Sequence, residues 1–353
     1  ELFRAHSIKT ALGADFLDVF FNGYVFRLRV YSKKEVSLAG KDHARVKDRH
    51  LHTAALAGFH LKYNAFGATV RLCKRWLHAH LLSGQMAEEL IELTVLHVFV
   101  CHFPDGSAPV APLVGSLRWL RLLATHAWAT EPLVFSVNGD ALQDVWVSEG
   151  RNKMQKRSGT FVPFVITEFD NSSMWNGPSE LVWKRVVALA QIACAFDILS
   201  DPQRSAVRLF GHNFSDYDYV IRLNSAAIPS FWQSLKCQLA GADVSSTAGR
   251  LWLTSRQKVK LADLLVGFDP VESFVQELNE RFGRYAWFFY DEDGGDAIGI
   301  LMKTRSVAAD REATLENFVC AVPSATQGQV TFSVENFLQS IEWMGKGLIS
   351  TIE

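Results

Sequence analysis

The chain has 353 residues, 48% of them hydrophobic and 12% aromatic, and its 36 basic and 37 acidic side chains leave a formal net charge of -1. That much apolar material builds sizeable cores in two or three domains and excludes a disordered chain. The balanced charge excludes a global field drawing the molecule to polyphosphate, so any nucleic-acid contact must come from local patches.

The sequence opens at Glu1 with no initiator Met or signal-peptide pattern, and its first recognisable element is already a strand, so it reads as a fragment of a longer protein. FLDVFFNGYVFRLRVY, residues 16 to 31, holds two β-rich runs around Asn22-Gly23, a pair that tolerates the positive φ of a tight hairpin. Charged, irregular residues 32 to 50 read as a linker or mobile loop. The period then turns helical, predicting helices over 54 to 82 and 86 to 100 joined at Ser83-Gly84, with Glu88, Glu89 and Glu92 in the early turns of the second, where the helix dipole favours acids. After the Pro/Gly-rich loop 102 to 112, an apolar helix is expected over Leu113 to Ala124, then short strands in EPLVFSVNGD and TFVPFVITEFD. Pro178 is expected to start a long helix to Leu199 with Leu181, Val182, Val186, Leu189, Ile192 and Cys194 on its apolar face.

The last segment predicts a strand from Tyr217, then a helix capped by Asp269 with Pro270 first and Phe274, Val275, Leu278 and Phe282 as its inner stripe. A hairpin around Gly294-Gly295 and a final helix from Val334 to Leu348 complete a small α+β domain, from which residues 236 to 258 loop out. The longest apolar run, Leu90 to Val100, contains Glu92 and His97 and falls short of the about 20 residues of a membrane helix. Five dispersed cysteines, Cys73, Cys101, Cys194, Cys237 and Cys320, read as reduced, buried thiols; the histidine-rich patches at His78, His80 and His102 have no second pair at zinc-site spacing.

One cationic stripe stands out. Arg71, Lys74, Arg75 and His78 fall at i, i+3, i+4 and i+7 in FGATVRLCKRWLHAHLLSG, all on one side of a helix. Two readings remain side by side: a surface that meets RNA or an acidic partner, and the wet side of an ordinary core helix. A second basic stretch, Arg151, Lys153, Lys156 and Arg157, lies between two strands, and Arg27 and Arg29 alternate on another. Among the acids, Asp216 and Asp218 have the spacing that puts two carboxylates on one strand face, as in Mg²⁺-dependent nucleotidyl transfer, but no Gly-Ser turn precedes them to grip a triphosphate, and a solvent-facing pair is the simpler reading. Asp18 suggests a leftover carboxylate of a metal site whose partners are missing. DEDGGD at 291 to 296 departs from a calcium loop, with Met302 where Glu is needed, and a hairpin turn explains it. No nucleophile elbow or phosphate-cradling glycine loop is present.

Several long segments recur in the order of a known family. HLHTAALAGFHLKYNAFGATVRLCKRWLHAHLLSG, EELIEL, GSLRWLRLLATHAWATEPLVF and PFVITEFDNSSMWNGPSELVWKRVVALAQ resemble the poly(A)-polymerase/oligoadenylate-synthetase-like fifth domain of the nucleolar RNA-associated protein (Nrap) family. DYDYVIRLNSAAIP and FGRYAWFFYDEDGGDAIGILMK are similar to its sixth domain, and residues 16 to 31 to the end of the preceding nucleotidyltransferase-like domain. The resemblance implies an α+β chain in three parts: residues 1-50 closing a nucleotidyltransferase-like sheet plus linker, 51-203 a mainly helical domain, and 204-353 a small α+β domain. It further implies a nucleolar, non-catalytic scaffold of the small-subunit processome in the nucleus, contacting pre-ribosomal RNA and processome proteins, with no cofactor, metal, membrane or small-molecule substrate. Within it, Arg71, Lys74 and Arg75 line what is a nucleotide cleft in active relatives, and Trp175 is a candidate base reader. The rival expectations are an active Mg-dependent nucleotidyltransferase whose catalytic half lies upstream, and a protein-only adaptor.

Overall fold

A computed structural model describes residues 9–13, 16–21, 24–28, 41–101, 107–136, 147–148, 150–152, 154, 163, 165–167, 178–195, 207–224, 269–292, 294–303, 311–312, 320–324 and 328–353. The chain is α+β and divides into two compact units, one of Glu1–Val30 with Phe214–Glu353, the other of Tyr31–Asn213. In the first unit, β1 (Lys9–Leu12), β2 (Leu17–Phe21) and β3 (Tyr24–Leu28) form an antiparallel sheet in that order. The pairing of Phe21 with Tyr24 leaves two residues for the turn, as the sequence predicts, although Asn22 and Gly23 lie outside the described residues.

The Tyr31–Asn213 unit is mainly helical. Residues 41 to 50, expected as loop, are instead the start of α1 (Lys41–Lys62). Their dense charge is compatible with a solvated helix as well as with a loop, so composition alone misled. The helix expected over 54 to 82 is two: α1 ends before a turn at Tyr63-Asn64-Ala65, and α2 runs Phe66–Ala79. Leu81, at φ 56°, closes α2 in the left-handed region, where a non-glycine costs roughly 1 kcal/mol, and buries its side chain in return. α3 (Glu88–Val100), α4 (Pro112–Thr125) and α5 (Glu180–Cys194) follow, with a two-residue parallel pair, β4 (Leu133–Val134) and β5 (Val165–Ile166), between α4 and α5.

α5 starts at Glu180, because Ser179, not Pro178, provides the cap through Oγ, which accepts the Val182 amide. Its buried seam is Val182, Trp183, Val186, Ala190 and Ala193; Leu181, Ile192 and Cys194, expected inside, are exposed, one helical position off the seam. The core of the unit is aromatic: Trp76, Trp119, Trp183, Phe66, Phe99 and Phe135 are all essentially inaccessible. Trp128 stands edge-on to Trp183 at 4.9 Å and donates its indole N–H to the Leu123 carbonyl, joining α5 to the end of α4.

In the other unit, β12 (Ile349–Ile352), β6 (Tyr219–Leu223), β8 (Ala297–Met302) and β7 (Ala286–Tyr290) form an antiparallel sheet in that order. Alternate residues Ile221 and Leu223, Phe288 and Tyr290, and Ile298 and Ile300 point to one face, where α6 (Pro270–Phe282) and α7 (Val334–Met344) cover them with Phe274, Leu278, Phe337 and Ile341. α6 begins as predicted, with the Asp269 carboxylate accepting the Val271 amide at 2.8 Å. The predicted final helix is four residues too long, and a strand not predicted follows it: Gly345 caps α7, Gly347 turns at φ 93°, and the chain re-enters the sheet as β12, with a register break between Ile349 and Thr351. A second small sheet, ordered β10 (Ala321–Pro323), β11 (Gln329–Phe332) and β9 (Arg311–Glu312), has no counterpart in the sequence reading, its strands being two to four residues long.

Candidate RNA- or partner-binding surface

α2 carries the cationic stripe, and what it packs against decides which charges face water. Its inner side, Phe66, Val70, Cys73, Trp76 and Leu77, is buried. Trp76 meets Trp119 of α4 edge-on at 5.8 Å, and the Trp119 indole N–H donates to Thr94 Oγ1 of α3 at 2.9 Å, so three helices lock at one point. At Gly115 a β-carbon would lie 2.5 Å from Thr69 Oγ1, so α4 reaches α2 only because no side chain stands there. The rotation of α2 is fixed by these contacts, and Arg71, Lys74, Arg75 and His78 are left on its opposite side.

The stripe then divides. The Lys74 ammonium donates to Glu88 Oε2 at 2.8 Å and to Glu92 Oε1 at 2.7 Å, both on α3. The second oxygen of Glu92 lies 2.8 Å from Nε2 of His52, a buried residue of α1, and Arg49 of α1 bridges to Glu89 at 2.8 Å. Burial pushes the Glu92 carboxyl up, but the hydrogen bonds from His52 and Lys74 outweigh it and hold it below its ordinary value. Burial likewise favours the neutral amine of Lys74, and its hydrogen bonds to Glu88 and Glu92 reverse the sign, keeping it charged to higher pH than usual. Lys74 therefore fastens α2 to α3, its charge neutralised by two carboxylates. Arg71 and Arg75 are exposed and form no ion pair with any described residue, one helical turn apart, about 6 Å between β-carbons. His78 is half-buried in the last turn of α2.

Of the second basic stretch, Arg151 is helical and exposed, while Lys153, Lys156 and Arg157 lie outside the described residues, as does Trp175. Asp216 and Asp218 both precede β6 and are not on a strand face, and the Asp218 carboxylate accepts the Met302 amide at 2.7 Å. Asp18 is buried in β2 and clasped bidentately by Arg27 at 2.9 and 3.0 Å. β7 and β8 pair as an antiparallel hairpin on either side of DEDGGD, in which Gly294 has φ 101° and Asp293 lies outside the described residues. Among the described residues no group of three His, Cys, Asp or Glu is placed to hold a metal ion. Cys73 and Cys320 are buried, whereas Cys101 and Cys194 are exposed, contrary to the expectation of buried thiols, because each falls at or just past a helix end. Although the Cys101 residue as a whole is exposed, neighbouring groups desolvate its sulfur and push the thiol up to about 11.

Two arginine forks in water have the shape and charge that suit phosphate or carboxylate, and they transfer no proton. The sequence reading saw Glu88 and Glu92 only as dipole partners and missed their bond to Lys74. The available signal was that two acids one turn apart open the helix that folds back along α2 after a tight connection.

Comparison with known proteins places these features in a family. A family model described as Nrap protein PAP/OAS1-like domain 5 matches residues 63–210, and one described as Nrap protein domain 6 matches residues 214–352. The chain is 31% identical to Nucleolar protein 6 of Xenopus tropicalis, over 100% of this chain and 33% of that protein. It is 29% identical to Nucleolar protein 6 of Homo sapiens, over 100% and 32%. To U3 small nucleolar RNA-associated protein 22 of Schizosaccharomyces pombe it is 22% identical, over 96% and 31%. The chain thus spans about a third of the length of these relatives.

Proposed function

The chain belongs to the Nrap protein family, and from that premise we propose that it is part of a non-catalytic scaffold of the small-subunit processome that meets pre-ribosomal RNA through Arg71 and Arg75. Its compartment is the nucleolus, for which its relatives are named, and its process is ribosome biogenesis. The observation that carries the RNA contact is the division of the α2 stripe: Lys74 is consumed inside the unit, while two arginines one turn apart remain in water. Such forks grip phosphate and fix a strand's position without reading its bases. The non-catalytic part is supported by the use the fold makes of its carboxylates. Asp218 holds a backbone amide and Asp18 holds Arg27, engagements that compete with Mg²⁺ coordination.

Crosslinking of the full-length protein in cells tests the RNA contact. Arg71→Glu with Arg75→Glu should reduce recovery of pre-ribosomal RNA severalfold and lower the salt slope of binding in vitro by about 1 to 2, as expected for two lost phosphate contacts. Unchanged recovery would identify a protein-only adaptor. Robust Mg²⁺-dependent nucleotide incorporation by the full-length protein would overturn the non-catalytic reading.

A further inference from the structure

An open groove of about 830 Å³ in the C-terminal unit runs between α7 and β10. Buried Phe282 and Cys320 line it, and Arg281 is the single charged side chain among its lining residues. On the α7 side, Asn336, Ser340 and Trp343 follow one another at i, i+4 and i+7, and Trp343 is 77% exposed, unlike the inaccessible tryptophans of the helical unit.

The opposite wall is a strand edge. Among the described residues β10 is an outer strand of its sheet. The Cys320 carbonyl accepts the Ser333 amide at 2.7 Å and the Ser324 amide donates to the Gln329 carbonyl at 3.0 Å, so positions 320, 322 and 324 face β11. Ala321 and Pro323, in alternation, turn their backbone polar groups away from β11, and Ala321 lines the groove. Cys320, a non-glycine at φ 59°, sets the chain into this strand.

We infer that the groove takes an extended peptide segment of a partner protein, which adds a strand to the outer edge of β10, lays a large apolar side chain against Trp343 and presents a carboxylate to Arg281. Backbone pairing favours a polypeptide over a nucleobase, which has no repeating amide to match the edge. The acid follows from charge: Arg281 is the only charge among the described lining residues, and it forms with Glu277, at 2.8 Å on the same helix, a half-exposed pair that a ligand carboxylate can exchange. Pro323 supplies no N–H, so pairing is confined to a short stretch and specificity comes from side chains. Of the lining residues, Trp343 and Arg281 are of the types whose truncation costs most in protein interfaces, and Met344 is of a type enriched there.

The test uses the full chain and a fluorescein-labelled nonapeptide with leucine at alternate central positions, threonine between them and glutamate at both ends. Fluorescence polarisation should show saturable binding, weakened about tenfold or more by Trp343→Ala and by Arg281→Glu. Arg281→Glu should also come to prefer a peptide ending in lysine, and N-methylation of the central amides should remove binding. Both side chains are exposed, so circular dichroism should match the parent. No saturable binding, or binding indifferent to Trp343→Ala and to N-methylation, overturns the inference. So does a labelled oligouridine that binds through Trp343 and excludes the peptide.

Discussion

The two units use their tryptophans in opposite ways. The helical unit turns Trp76, Trp119 and Trp183 wholly inward and leaves arginines outside, whereas the C-terminal unit buries phenylalanines and leaves Trp343 77% exposed beside a groove. The difference extends to charges: Lys74 and Arg75 are adjacent on one helix, yet Lys74 is half-buried structural cement, whereas Arg75 is exposed and forms no ion pair with any described residue. A half-buried charge matched by two carboxylates has little left for a partner, unlike the more exposed Arg281–Glu277 pair.

The sharpest break between the units should come from truncating a tryptophan in each. Trp119→Ala removes the edge-on contact to Trp76 and the indole hydrogen bond to Thr94 and leaves a cavity, and denaturant unfolding should show a loss of about 3 to 5 kcal/mol. Trp343→Ala should cost no more than about 0.5 kcal/mol. If the two losses are equal, the division between structural and presented tryptophans fails.

Acid should come next and touch one unit more than the other. All 11 histidines lie before residue 214. Burial, then the neighbouring His126, holds His97 at about 4 against an ordinary 6.5, so its buried form is neutral. Its contribution is complete above 6.5 and is lost as pH falls toward 4, because the unfolded chain binds the proton first; the gap is worth roughly 3 kcal/mol. Unfolding midpoints followed from pH 7 to 4.5 should drop for the helical unit, and His97→Asn should flatten that dependence.

A smaller effect separates Lys74 from its neighbours. Lys74→Met leaves Glu92 without one of its two bonds and should cost about 2 kcal/mol, recovered in part by adding Glu92→Gln. The same pair works at both ends of the pH scale. Glu92, held low, stabilises above its ordinary 4.5 and loses that contribution as pH falls through its lowered value. Lys74, held high, stabilises below its ordinary 10.5 and loses it as pH rises through its raised value. Smallest of all for stability should be Arg71→Glu with Arg75→Glu, within about 0.5 kcal/mol by calorimetry, which makes it a clean probe of RNA contact.

Much of this was legible in the sequence where local chemistry acts alone. Asp269-Pro270 announced a capped helix, the period of Phe274, Val275, Leu278 and Phe282 announced its buried face, and Gly294-Gly295 announced a hairpin. What escaped depends on groups distant in sequence. Whether residues 41 to 50 are helix or loop is not decided by charge density, and the strand Ile349–Ile352 exists because β6 offers it an edge. For the candidate surface, spacing placed four residues on one stripe but was blind to Glu88 and Glu92, 14 and 18 positions away from Lys74. The groove beside Trp343 escaped entirely, since one of its walls is a three-residue strand no longer than a turn.

The register break in β12 has a consequence for crowding. A flat outer strand invites a second copy of the same molecule to pair along it, the first step toward insoluble fibres. The slip between Ile349 and Thr351 interrupts the even ladder that such growth would copy.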